Sequence, residues 1–119
     1  MKLVIPGEFP TLNEVIKVSK SHFMAYATMK KTYTNLTIAA VKGNPEIKFK
    51  ADYIFTWYRK TRRNDPDNIQ TGTKFILDGM VDAGLIKNDG WNEINSIKHK
   101  FGVDRDDPRV EIEIKEVIT

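Results

Sequence analysis

The chain contains no cysteine. That excludes a disulfide scaffold and thiolate metal ligation, and it fits a reducing compartment. Histidine is almost as scarce: His22 and His99 are the only two, and they lie far apart, which argues against a histidine-based zinc site. No apolar run approaches the ~18 residues that a membrane-spanning helix needs. The opening MKLVIPGEF is too short an apolar run for a signal peptide. A cytoplasmic location is therefore expected. There is also no P-loop, no GxGxxG and no GxSxG, so nothing in the sequence marks a nucleotide cradle or a serine-hydrolase elbow.

What is present is ordinary in bulk and uneven in detail. With 119 residues, 40% hydrophobic and 29% charged, the sequence suits a single globular domain over 1–119. The formal charge is +3. Lys17, Lys20, Lys30, Lys31 and the 59–63 segment are basic, while Asp104 to Asp107 is mostly acidic. A basic rim of this kind attracts a polyanion.

The pattern predicts alternating strands and helices. Lys2–Pro6 reads as a strand ended by Pro6 and Gly7, and Gly7–Lys20 as a loop. His22–Lys42 reads as a helix, with Ser21 as its cap and Gly43-Asn44-Pro45 as its stop. Ile47–Tyr58 alternates as a strand, and its second half gains Ile54 and Tyr58 on the opposite face, as though a helix covered that face too. A second helix is expected from Gln70 or Thr73 to Val81 or Asp82, with Gly84 at its C-cap. Asn92–Val103 and Arg109–Val117 are the last strands. The second of these is read as the edge or half-exposed strand, and the two together as a hairpin. The resulting fold class is α+β, two layers, with a mixed sheet and two helices packed on it in the order β-α-β-α-β-β.

The chemistry concentrates between Arg59 and Asp89. Arg59, Lys60, Arg62 and Arg63 lead directly into Asp65 and Asp67, which flank Pro66. Lys74 and Asp78 follow, one helical turn apart, and Asp89 stands in the next turn. Clustered carboxylates seldom stabilise a fold, which leaves a solvated acidic loop or a divalent cation site. If Asp89 returns to Asp65 and Asp67, the oxygen-only set suits Mg²⁺ or Mn²⁺. Lys74 then either stabilises a phosphoryl transition state or is simply a solvent-facing helix lysine.

These residues resemble the RusA family of Holliday junction resolvases. The resemblance rests on the basic run followed by Asp65-Pro66-Asp67-Asn68, the helix with Lys74 and Asp78, the Ala83-Gly84 turn, Asp89, and Pro10 and Asn13 near the start. In the family pattern the lysine stands nearer the Asp-Asn pair. Here Gln70-Thr71-Gly72 intervenes, Thr71 falls where an ungapped match puts the lysine, and Asn88 replaces the first of two acidic residues. The resemblance implies a Mg²⁺-dependent homodimeric endodeoxyribonuclease, with Mn²⁺ as a substitute, of a kind common in phages and prophages. Such an enzyme nicks four-way DNA junctions symmetrically in recombination and repair. It would place catalysis on Asp65, Asp67, Lys74 and Asp89. Asp65, Asp67 and Asp89 would hold the metal, with Asp78 as a further candidate ligand, and Arg59, Lys60, Arg62 and Arg63 would contact DNA phosphates. The alternatives are a relative that binds nucleic acid without catalysis and a small structural protein with a solvated acidic turn.

Overall fold

The computed structural model describes residues 1–118. Four strands form one sheet: β1 (Lys2–Pro6), β2 (Ala51–Arg59), β3 (Ile94–Val103) and β4 (Arg109–Glu116), in the spatial order β1-β4-β2-β3. The helices are α1 (Leu12–Ser21), α2 (Phe23–Val41), the short α3 (Pro66–Ile69) and α4 (Thr73–Asp82), with a 3₁₀ turn at Gln70–Gly72 joining the last two. The architecture is the expected compact α+β fold, a mixed sheet with helices packed against it.

Period-two alternation decides which face is covered. Leu3 and Ile5 of β1, Ala51, Tyr53, Phe55 and Trp57 of β2, and Val110, Ile112 and Ile114 of β4 are all buried. Phe75, Ile76, Leu77 and Met80 of α4 and Val41 of α2 join them in one core. Two glycines let this layer close. A Cβ on Gly79 would stand 2.6 Å from the Thr37 Cβ, so α4 lies against α2 at a distance only glycine permits. A Cβ on Gly72 would meet the Phe9 Cβ at 2.7 Å and the Trp57 ring at 3.0 Å.

Several expectations need correction. Gly7–Lys20 is not all loop: α1 starts at Leu12 behind a capping box, in which Thr11 Oγ1 accepts from the Glu14 backbone N–H and the Glu14 carboxylate accepts from Thr11 N. No residue of α1 is fully buried, although Leu12, Val15 and Ile16 fall on one side at helical spacing and Val15 packs against the core. The cap of α2 is His22, whose Nδ1 accepts from Met24 N at 3.1 Å, rather than Ser21. The Ile47–Lys50 segment lies outside β2, and Ile47 N bonds instead to the Leu85 carbonyl.

The final two strands do not form a hairpin. β4 inserts between β1 and β2, antiparallel to both, and β3 pairs parallel with β2 from Ala51↔Ile94 to Arg59↔Val103. β4 is thus an interior strand, and β3 and β1 are the edges. Parallel neighbours need a crossover connection, which α3, the 3₁₀ turn and α4 supply. No helix covers Ile54 and Tyr58, whose face carries charged side chains. Tyr58 is capped there by Arg109, with its guanidinium carbon 4.1 Å from the ring centroid, and packs over Gly102. Among the described residues, no helix is long and apolar enough to cross a membrane.

Candidate nucleic-acid interface

Parallel pairing brings the C-terminal ends of β2 and β3 to one end of the sheet, where the Arg59 carbonyl accepts from Asp104 N at 2.8 Å. The basic loop leaves from there. Its first residue, Arg59, continues the buried register of Ala51, Tyr53, Phe55 and Trp57, and is only 7% exposed. Its Nη1 donates to the Phe9 carbonyl at 2.9 Å, its Nη2 to Asn64 Oδ1 at 3.2 Å, and its Nε lies 3.5 Å from Glu8 Oε2. The fork is therefore spent inside the protein. Arg59, expected to touch DNA phosphate, instead clamps the chain before α1 to both ends of the loop. Glu8 also accepts from Lys60 N at 2.8 Å.

Lys60, Arg62 and Arg63 are exposed and make no ion pair among the described residues. Fixed at its base by Arg59 and open at its tip, the loop presents three cations to solvent.

The carboxylates divide into separate places. Asp65 occupies the N-cap position of α3, and its backbone carbonyl accepts from Asn68 N and Ile69 N, while its side chain makes no capping bond. It lines a cleft with Arg62 and Asn64. Asp67 is exposed, and its Oδ1 accepts from Asn68 N at 3.0 Å. Asp89 lies elsewhere, in a hollow shared with Lys30, Lys74, Asp78 and Asp82.

Within that hollow Lys74 Nζ stands 3.0 Å from Asp78 Oδ1 and 3.3 Å from Asp89 Oδ2. The hydrogen bond to Asp78, and after it the one to Asp89, raises the lysine pKa above its ordinary value. Asp78 Oδ2 makes no hydrogen bond, and Lys30 pairs with it at 3.6 Å. The sequence spacing thus brings Lys74, Asp78 and Asp89 together, as an ion-pair knot.

Among the described residues, no group of three Asp, Glu or His side chains is placed to hold a metal ion. This overturns the expected Mg²⁺ or Mn²⁺ centre on Asp65, Asp67 and Asp89, the further ligand role of Asp78, and with them the metal-dependent endodeoxyribonuclease. The physical reason lies in the partition. Asp78 and Asp89 are already neutralised by the ammonium groups of Lys74 and Lys30, and Asp65 lines a different cleft. Lys74 is held between Asp78 and Asp89 in this knot.

His99 is a structural group. Trp57 donates its indole N–H to His99 Nδ1 at 3.0 Å, and the imidazole lies beside the Phe55 and Phe101 rings. Burial holds its pKa below the usual imidazole value. Tyr53, Phe55 and Trp57 fill the core, as their shared face suggests. Tyr58 is engaged by Arg109, whereas Trp91 is 91% exposed. Phe101 lines the cleft beside the basic loop, a position that strand alternation alone does not disclose.

Comparison with known proteins found no matching family model and no matching curated relative.

Proposed function

We propose that this chain is a nucleic-acid-binding domain, a RusA relative without that family's metal-dependent chemistry, which contacts DNA phosphates through Lys60, Arg62 and Arg63. The observation that carries the reading is the contrast within one loop. Arg59 is buried and bonded, while the three cations beyond it are exposed and have no ion partner among the described residues. A rigid base with unpaired cations at its tip suits a polyanionic backbone, because phosphate contacts position a protein without reading sequence.

The ligand class proposed is branched DNA, with a four-way junction as the test substrate. A homodimer would match the two-fold symmetry of such a junction. Phe23 and Met24 at the start of α2, 79% and 52% exposed, and the exposed Leu12 and Ile16 of α1 are apolar side chains available for that contact. A cytoplasmic location is consistent with this partner and with the lack of cysteine.

The experiment is equilibrium binding of a labelled four-way junction at low salt in EDTA. Arg62→Ala with Arg63→Ala should weaken binding severalfold without altering the fold, and the junction strands should remain intact when Mg²⁺ is added. Absence of binding at low salt would contradict the proposal.

A further inference from the structure

A cleft of about 330 Å³ opens beside the basic loop. It lies near the lower limit of the about 300–1,000 Å³ typical of small-ligand sites. Its two walls differ in chemistry. One is apolar: Ile69 from α3, with Phe101 and Val103 from the end of β3. The other is polar: Thr61, Arg62 and Asp65 from the loop.

The apolar wall follows from the topology. Phe101 pairs in register with Trp57 and Val103 with Arg59, so both belong to the helix-covered face of the sheet. β3 is the outermost strand, and its outer end lies beyond the helices' cover. Phe101 and Val103 therefore remain 38% and 47% exposed. Ile69, only 4% exposed, lines the same apolar side. The polar wall carries donors and an acceptor: the guanidinium of Arg62, the hydroxyl of Thr61 and the carboxylate of Asp65.

Resting on the nucleic-acid reading above, the geometry points to a pocket for one unpaired nucleobase. The base packs against Phe101, its edge meets Thr61, Arg62 and Asp65, and its phosphate lies on the exposed cations of the same loop. An aromatic ring and hydrogen-bonding groups lining one cleft suit a flat heterocycle with a polar edge, and the size suits one nucleotide rather than a stacked pair. Bases inside a duplex cannot enter such a cleft, so the ligand is single-stranded or lies at a branch point.

The test uses the full chain in EDTA with three labelled probes of equal length: a single strand, the same strand carrying abasic sites at its centre, and a duplex. The single strand should bind more tightly than the abasic strand. Phe101→Ala should weaken binding to the base-bearing strand by roughly tenfold, within the range that one aromatic–base stack supplies. It should leave the abasic strand and the duplex unchanged. Phe101→Leu, which keeps the edge of the sheet apolar, should give a smaller loss in the same direction and serves if the alanine variant folds poorly. Equal affinity of wild type for base-bearing and abasic strands overturns the pocket while leaving the phosphate contacts standing, as does an equal loss on both strands in the variants. If none of the three probes binds at low salt, the pocket and the nucleic-acid reading both fail.

Discussion

The ammonium of Lys74 lies 3.3 Å from the carboxylate of Asp89. The two are separated by the rest of α4 after its second residue and by the turn that follows it, and the same lysine holds Asp78 at 3.0 Å. A cation supplied by the chain therefore fills the place where a bound cation would sit. Adding millimolar Mg²⁺, or removing it with EDTA, should leave the midpoint of thermal unfolding unchanged, because a ligand that binds no site in the native state shifts no equilibrium. A rise in Tm that saturates with Mg²⁺ would refute this. Lys74→Met should cost less than about 1 kcal/mol in urea unfolding, since the lysine is largely solvated.

Arg59 and Arg62 should behave oppositely despite their proximity. Arg59→Met leaves the Phe9 carbonyl, Asn64 and Glu8 without their shared partner. It is expected to destabilise the fold by about 2–4 kcal/mol. Arg62→Ala, at an exposed position, should stay within about 0.5 kcal/mol of wild type. Denaturant unfolding of the two variants separates the structural residue from the ligand-facing one.

His99 gives stability a pH dependence. Its Nδ1 accepts the Trp57 N–H, which a protonated imidazole cannot do, and burial among aromatic rings lowers its folded pKa below the ordinary imidazole value of about 6.5. Between those two values the unfolded chain binds more protons than the folded one. Stability from this group is thus fully present above the unfolded pKa and falls as pH drops from about 6.5 toward the lower folded value. His99→Gln, which keeps an acceptor without titrating, should flatten this part of the profile in urea titrations at stepped pH. Asp52 is held low by hydrogen bonds from Ser96 and Asn95, Asp104 by Arg109, and Glu111 by Lys2 and Arg109. Their contributions are lost only in more acidic solution, as pH falls below the ordinary carboxylate range.

How far the sequence discloses this structure depends on the kind of signal. The alternation of Val110, Ile112 and Ile114 against Glu111, Glu113 and Lys115 identifies a two-faced strand. It cannot say that β4 inserts between β1 and β2, because a period of two specifies faces and not neighbours. The parallel partnership of β3 with β2 is hidden for the same reason. Helix α1 is legible through its Thr11–Glu14 capping box and through Leu12, Val15 and Ile16 at helical spacing, of which Val15 packs on the core. Arg59 carried a usable signal: it continues the buried register of β2 by two residues.

In the site, the spacing from Lys74 to Asp78 states an i,i+4 pair directly, and Asp89 does return to it. The separation of Asp65 from that pair was not legible. It follows from the way the chain between them is used, in one turn of α3 and a 3₁₀ turn whose Gly72 seats against Phe9 and Trp57 before α4 begins. Tertiary packing at Gly72 decides that geometry, and a linear motif does not record it.

The central claim is that exposed loop cations bind DNA phosphates without a metal. The most direct measurement is the affinity for a four-way junction in EDTA across a series of salt concentrations, for wild type and for the combined Lys60→Ala, Arg62→Ala and Arg63→Ala variant. The account predicts a linear fall of log K with log salt, with the slope shallower in the variant by about 1 for each cation removed. Binding that appears only when Mg²⁺ is added, or a slope identical in the two proteins, would contradict it.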